Sequence, residues 1–555
     1  MDFDVCIIGS GAGAGPVAYE LARAGRQVLV LEKGPWYKTE DFNKDELACC
    51  RRSVYTPSLT EERHVIEDED GEGGWQATST FDSGNDFWNG NMVGGSSNLM
   101  SGYFHRLKPV DFRLLSEFGP IEGANVADWP ISYDDLEPYY AKTEKIVGVS
   151  GRVVAHPQLE PRSTADFPYP PLQVNEVAHW IDAAARRLGY HAIPTPRAIL
   201  SRPEDERNSC YYSNYCGSYG CSSGAKSSAR VALLDPALKT GKLQIRDRAK
   251  VFKLLSDNSG KVTEAHYYDR RGEVQKVSAR IFVVACQAIE TARLLLASPG
   301  PAHAHGLGNN RGQVGKNLIF SGGGSGSGHF YFEDLSDEQI EKIKLPGLFV
   351  NRALQDWYTI DDPVFGRAKG GTIDFLWRHA NGITRANRQK WQDGQLLYGL
   401  PLKRKMERYF KQSRHLRFEV FNDWLPTDDC FVSLDPNERD RWGDPVARFR
   451  VGYHPQDLRV GRFLADRAEK LFREMGARDI SSGVSGAPPA NLQAGGCRFG
   501  DDPAHSVLDR DCRMHDAPNL FVTDGSFMPT GGSVPYTFTI YANAFRVAES
   551  IREQL

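Results

Sequence analysis

The chain has 555 residues, 40% hydrophobic and 25% charged, with 54 Gly and 31 Pro; at roughly 100–200 residues per domain it holds two or more domains and a sizeable core. Its 28 Phe, 22 Tyr and 10 Trp exclude disorder over most of the length. A net charge of −4 excludes a general nucleic-acid footprint, and no run approaches the ~20 apolar residues of a membrane-spanning helix.

Residues 3–8, Phe-Asp-Val-Cys-Ile-Ile, predict a short buried strand that runs into the glycines Gly9, Gly11, Gly13 and Gly15. No basic segment precedes it, so this start does not read as a signal peptide. Pro16 to Ala24 predicts a helix with proline in its first turn, Gly25 ends it, and Gln27 to Leu31 predicts a second strand closing on Glu32. The acidic stretch 61–74 reads as a solvated loop. A second Gly-rich stretch runs from Gly90 to Gly102, and the Pro-rich piece 156–171 and the loop 201–228 punctuate the middle. Residues 279–287 predict a strand and turn, and Ala288 to Ala297 a helix. From 330 to 480 the chain shows aromatic, strand-like runs such as Leu416 to Val420, then a long helix from Asp457 to Met475. It closes with a strand, Asn519 to Val522, a Gly/Ser/Pro loop, and a helix from Thr537 to Arg552.

Gly9-x-Gly11-x-x-Ala14, after a strand and before a helix, fits a dinucleotide fingerprint: small residues let a pyrophosphate reach the positive end of the helix. Glu32, at the end of the second strand, is placed to accept hydrogen bonds from the adenosine ribose. This motif alone does not separate FAD from NAD.

The second Gly-rich stretch does separate them. Asn91-Met92-Val93-Gly94-Gly95-Ser96-Ser97-Asn98 resembles the flavin-contacting signature of the glucose–methanol–choline (GMC) oxidoreductases. The run from Asn519 through Asp524-Gly525-Ser526 to Thr530 resembles that family's second flavin segment. Ala285-Cys286-Gln287-Ala288 looks like its strand–turn–helix element, and Lys250-Val251 falls where family members contact adenine. The resemblance covers both ends and the middle of the chain and is weakest over 330–480.

It implies an α/β fold: a Rossmann-like FAD domain from residues 1–150, 225–330 and 481–555, and a substrate domain from 151–224 and 331–480. The substrate domain would be an antiparallel sheet flanked by helices. The place where some relatives attach flavin covalently through histidine is Leu99 here, which predicts noncovalent FAD.

Cys210, Cys216 and Cys221 form the one real cysteine cluster. Soft sulfur ligands in a Gly-containing loop suit an iron–sulfur cluster, and the region is similar to the one holding a three-iron (3Fe–4S) cluster in sugar dehydrogenases of this family. Free or structural thiols and another metal remain as alternatives; zinc lacks a fourth ligand close in sequence. A cluster would imply a redox partner, a small subunit or a cytochrome. The compartment is then cytoplasmic, or periplasmic with export through a signal-bearing partner.

The resemblance implies a catalytic pair: a His that takes the hydroxyl proton, with an Asn or a second His beside it. Counted back from Arg498-Phe499-Gly500, the His position holds Leu492, and the Asn position holds Pro535. Neither side chain can accept a proton or donate a hydrogen bond. One reading is a shifted site using Asn491, Gln493 or Tyr536, with a base such as His454 or His515 from elsewhere. The other is redox chemistry lost or repurposed, as in a lyase or binding subunit. The expected function is FAD-dependent hydride transfer from a hydroxylated small molecule (sugar, polyol or glycoside) to a non-oxygen acceptor.

Overall fold

The computed structural model of the chain describes residues 2–49, 63–69, 73–83, 90–347, 349–486 and 492–555. Phe3–Ile8 lies at the centre of a sheet built from distant stretches of sequence. Val28–Leu31 pairs parallel to it on one side, with Val5 opposite Val28; Val274–Val284 pairs parallel on the other, with Val5 opposite Ile281. Leu243–Arg246 extends the sheet beyond Val28–Leu31, and Leu520–Val522 arrives from the other end of the chain to pair with Phe282–Val284. Such strands must be apolar on both faces, which is why Val5–Ile7 and Val28–Val30 are wholly buried.

The long strand Val274–Val284 changes role along its length. Its first half pairs antiparallel with Val262–Tyr268, which in turn pairs with Lys250–Ser256; its second half belongs to the parallel sheet. The helix Ala14–Arg23 follows the first strand and packs on the closing helix Thr537–Gln554, where Tyr19 and Phe545 meet edge to face.

A second, antiparallel sheet has the order Arg478–Val484, Gly324–Tyr331, Ser413–Asp423, Gly371–Trp377, Phe349–Leu354, Ala192–Pro194. Strand periodicity sends Leu416 and Phe418 toward the helix Pro455–Glu474, where Phe418 meets Phe472. Arg417, Glu419 and Phe421 take the opposite face. The boundaries expected at 330 and 481 both fall inside strands of this sheet. The chain enters it at Ser321, where Ser321–Gly322 pairs with Asn422–Asp423, and leaves it after Val484.

A third sheet joins Cys430–Arg439, Pro445–Val451, Val65–Glu69 and Trp75–Ser79. This corrects the reading of 61–74 as a solvated loop: Val65, Ile66 and Glu67 are buried strand residues. Glu67 tolerates burial because Arg448 Nε and Arg450 Nε each donate to its carboxylate at 2.6 Å. Among the described residues no helix is long and apolar enough to cross a membrane.

Candidate active site

One cavity of about 850 Å³ opens at the C-terminal ends of the parallel strands and runs to the face of the antiparallel sheet carrying Arg417 and Glu419. Its floor is the first strand–helix turn. Gly9 has φ +92°, and a Cβ there would sit 2.3 Å from the Ala285 carbonyl oxygen; a Cβ on Gly13 would meet the Thr523 carbonyl oxygen at 2.5 Å. The turn is therefore closed around glycines. No side chain caps the helix that begins at Ala14; Ala14 N and Gly15 N donate to the Gly11 carbonyl at 3.1 and 3.0 Å, and Gly11, Ala12 and Gly13 of the entry turn line the cavity at the positive end of the helix, which favours an anion.

Of the residues expected to hold the cofactor, Gly9, Gly11, Glu32, Gly95, Ser97, Val251, Ala285, Asp524 and Gly525 line this cavity. Ala14, Val93, Gly94 and Asn98 do not. Ala14 is buried in its helix, and Asn98 Nδ2 donates to the carbonyls of Val93 and Gly95, at 3.0 and 3.1 Å, to shape the loop. These are holders of the wall rather than the wall itself.

Glu32 is buried, with Oε1 accepting from Gly34 N at 2.8 Å and Oε2 from Ser10 Oγ at 2.5 Å. Ser10 Oγ in turn accepts from Gly94 N at 3.0 Å, so one hydroxyl couples the acid to the second Gly-rich loop. Burial pushes the Glu32 carboxyl above its ordinary value, against the pull of Ser10, Gly34 and Lys33. Asp524 is saturated: Gln287 N and Thr291 Oγ1 reach one oxygen, at 3.1 and 2.5 Å, and the Ser526 main chain and hydroxyl reach the other. It fixes loops and has no acceptor left for a ligand. Lys250 and Val251 both line the cavity, with the Lys250 ammonium engaged by Asp440 and Asp444.

Leu492 and Pro535 both line the cavity, so the places that lack the expected His and Asn do face the reaction space. Asn491 lies outside the described residues. Gln493 lines the cavity, and its Oε1 accepts from Gln287 Nε2 at 2.6 Å. Tyr536 is corrected as a proton acceptor. Its buried hydroxyl donates to the Phe320 carbonyl at 2.5 Å, and burial holds the phenol well above its usual range. His454 and His515 are also structural: His454 caps the helix Pro455–Glu474, and His515 Nε2 pairs with Ser506 Oγ at 2.9 Å. Neither borders the cavity.

The substrate-side wall is one that motif reading does not reach. Arg378 and His379 follow the strand Gly371–Trp377, Arg385 and Arg388 lie on the helix Gly382–Gln389, and Arg417 and Glu419 lie on Ser413–Asp423. The signal available was the two-residue alternation of 416–421, which opposes Arg417 and Glu419 to Leu416 and Phe418. His379 Nδ1 lies 3.0 Å from the Cys216 carbonyl, which can only accept, so that nitrogen carries the proton.

Cys210, Cys216 and Cys221 border one small closed pocket beside the main cavity, whose wall includes their neighbours Gly217 and Ser218. All three are reduced. Among the described residues their sulfurs do not gather within 4.8 Å of one another. Tyr212 N donates to Cys210 Sγ at 3.4 Å. Burial pushes the Cys210 thiol up to about 12. Burial also opposes ionisation of Cys221, but the Lys226 ammonium and hydrogen bonds from Ser223 and Lys226 override it and lower that thiol. The donor set fits a thiolate-ligated cluster.

Comparison with known proteins agrees with this geometry. Two sequence profiles described as GMC oxidoreductase match residues 71–320 and 426–544. The 2-methyl-1,2-propanediol dehydrogenase of Mycolicibacterium austroafricanum is 31% identical over 560 residues, covering 99% of this chain and 95% of that one. The fructose dehydrogenase large subunit of Gluconobacter japonicus is 26% identical, covering 100% and 98%. A structure of Aspergillus oryzae formate oxidase superposes with a TM-score of 0.65 at 15% identity, covering 100% and 98%, which speaks for the fold alone. With a family-wide profile match, a relative above 30% identity along its whole length, and a cavity built on the family's flavin segments, the chain belongs to the GMC oxidoreductases, FAD-dependent dehydrogenases and oxidases of CH–OH donors.

Proposed function

We propose that the protein is an FAD-dependent dehydrogenase that oxidises a carbinol carbon of a hydroxylated small molecule (sugar, polyol or glycoside) and delivers the electrons to an acceptor other than oxygen. The observation that carries this reading is one continuous cavity reaching from Gly9 and Glu32 to Leu492, Pro535 and the antiparallel sheet. When bound, FAD supplies at N5 the acceptor for the hydride. The glycine turn Gly11–Gly13, at the positive end of the helix that starts at Ala14, would hold the pyrophosphate, Glu32 would accept from the ribose hydroxyls, and Val251 would lie against the adenine. Leu99, a cavity residue without a nucleophile, supports noncovalent attachment.

As the C–H bond breaks and the carbonyl forms, the hydroxyl proton must leave to a base. Leu492 and Pro535 cannot take it, and Gln493 can only orient the hydroxyl, because an amide is too weak a base. Among the described residues of the substrate-side wall, Glu419 and His379 have the required chemistry; in neutral His379 the lone pair is on Nε2. Cys210, Cys216 and Cys221 would hold a 3Fe–4S cluster, the first stop for electrons leaving the flavin, with a small subunit or cytochrome as the onward partner. The relative named a large subunit supports such a partner.

A second reading, a flavoprotein with lost or repurposed redox chemistry, is favoured by Leu492 and Pro535. Anaerobic addition of polyols and sugars to the purified holoprotein separates the two. Bleaching of the flavin bands is expected; bands that stay oxidised with every hydroxylated donor overturn the dehydrogenase reading.

A further inference from the structure

The substrate-side wall concentrates positive charge in a way the fold does not balance. Arg378, Arg385, Arg388 and Arg417 all border the cavity. Each guanidinium stays charged across the accessible pH range. Arg378 donates to Ser327 Oγ at 3.2 Å, while its Nε is buried with no partner. Arg385 Nε donates to the neutral Tyr409 hydroxyl at 3.1 Å. Among the described residues, no carboxylate lies within 4.0 Å of Arg378, Arg385 or Arg388, and Arg417 meets Glu419 only at 3.9 Å.

Two acids stand near this group and offset it only in part, because neither makes a close ion pair with Arg378, Arg385 or Arg388. Glu419 is half-exposed and accepts from the Tyr103 hydroxyl at 3.2 Å. Glu46 feels the charge of Arg385, but its oxygens are taken by the main-chain N–H groups of Ile383 and Thr384, both at 2.8 Å, and by the Thr384 hydroxyl. Arg414, behind the wall, adds a further positive charge. Burial, then Arg385, brings it down to about 10. Burial and the neighbouring arginines likewise lower Arg378. Like charges that converge on a half-dry cavity raise its energy until an anion enters, and planar guanidinium forks match an oxyanion.

We infer that the substrate carries an oxyanion, a carboxylate or a phosphate ester, which docks on Arg378, Arg385, Arg388 and Arg417 while its hydroxylated carbon is presented beside Leu492 and Pro535. This rests on the proposed function and narrows its substrate class from sugars and polyols in general to their acidic forms.

The test uses matched donors with the purified holoenzyme: glucitol as the neutral polyol, gluconate as the carboxylate, glucitol 6-phosphate as the phosphate ester. Flavin reduction under anaerobic conditions is followed at low and high NaCl. At least one acidic donor is expected to show a KM lower than that of glucitol by roughly tenfold or more, the scale of one or two charge-assisted hydrogen bonds. That advantage shrinks as salt screens it. Arg378→Gln and Arg388→Gln should each raise the KM for the acidic donor and flatten its salt dependence. Whichever of gluconate and the phosphate ester gains more identifies the oxyanion. Equal KM values for neutral and acidic donors, or no salt dependence, overturn the inference. Should no donor reduce the flavin, binding is read from perturbation of the flavin absorbance. Gluconate or phosphate-ester binding without glucitol binding then supports the anion site and rejects the redox reading; no preference rejects the anion site as well.

Discussion

Lys226 Nζ donates to two main-chain carbonyls, Tyr219 at 3.0 Å in the cysteine loop and Asn98 at 3.2 Å in the flavin-lining loop. Ser218 N adds a second tie by donating to the Leu99 carbonyl at 2.8 Å. The Lys226 side chain is buried, so its charge needs these partners and the nearby Cys221 sulfur. One ammonium thus ties the cysteine loop to the flavin-lining loop and favours a thiolate at Cys221. For the proposed cluster, thiolates are the ligands iron requires, and electron transfer would depend on the spacing of these loops.

The proposed iron–sulfur cluster makes a direct prediction. Anaerobically purified protein is expected to contain stoichiometric iron and acid-labile sulfide, and Cys216→Ser to lose both while FAD remains. Lys226→Met removes a charge-assisted donor from two main-chain carbonyls, each hydrogen bond worth about 1.5–3 kcal/mol, and should lower both cluster content and Tm. Iron that stays far below stoichiometry after reconstitution would return the three cysteines to free thiols.

Glu32 is expected to govern FAD affinity. A carboxylate accepting ribose hydroxyls contributes about 1.5–3 kcal/mol per charge-assisted bond, so Glu32→Ala should weaken FAD binding roughly 10- to 150-fold for each bond lost. The pH dependence has a definite sign. Burial raises the Glu32 carboxyl in the protein without FAD, so its contribution to folding is present below the unfolded value of about 4.3 and is lost as pH rises through the folded value. Ribose hydroxyls donate to the charged form and offset that loss. The rise in Tm on adding FAD should therefore be larger at pH 7 than at pH 5, and Glu32→Ala should abolish the difference. An unchanged FAD titration in the variant removes Glu32 from the site.

What the sequence makes legible divides along a physical line. The strand–glycine–helix opening, Glu32, and the Gly94-Gly95 and Asp524-Gly525 segments are local patterns, and the structure brings most of them to one cavity wall. Local spacing also gives the helix Pro455–Glu474 and the closing helix to within a few residues. The arginine wall was not legible, because Arg417 reaches Arg378, Arg385 and Arg388 only through the pairing of Ser413–Asp423 with Gly371–Trp377. The strand Val65–Glu69 was hidden for a related reason: its buried Glu67 is balanced by Arg448 and Arg450, almost 400 positions away. Asp524 carried a motif signature yet serves the loops, since Thr291, Ser526 and Gln287 use its acceptors.

Tyr536 separates structure from chemistry. Its hydroxyl satisfies the Phe320 carbonyl in a buried setting, and a Cβ on Gly531 would sit 2.2 Å from that hydroxyl oxygen. Tyr536→Phe should lower stability by about 1–3 kcal/mol, read as a drop in Tm or in the denaturant midpoint, without abolishing flavin reduction. Turnover lost with Tm and FAD content intact would instead make Tyr536 a participant in proton transfer.

The last prediction concerns the vacant base position. Leu492 borders the cavity with φ +61°, a left-handed conformation that leucine enters reluctantly and histidine several-fold more often. The main chain there is thus already shaped for the residue type that the family places at this point. Leu492→His should add little strain, and Pro535→Asn, just before the closing helix, restores the donor beside it. Together they are expected to raise oxidation of simple polyols toward the ~10²–10⁴-fold that a positioned general base supplies. The wild-type protein, lacking a base at that point, should be slow on these donors and faster as pH or substrate acidity increases, because the alkoxide then forms with less help. In the double variant the rise with pH should end near the ordinary titration range of histidine, around 6.5. If the wild type oxidises neutral polyols rapidly at pH 7 and the double variant gains nothing, Glu419 or His379 already fills the role. Glu419→Gln and His379→Gln would then show which of the two takes the proton.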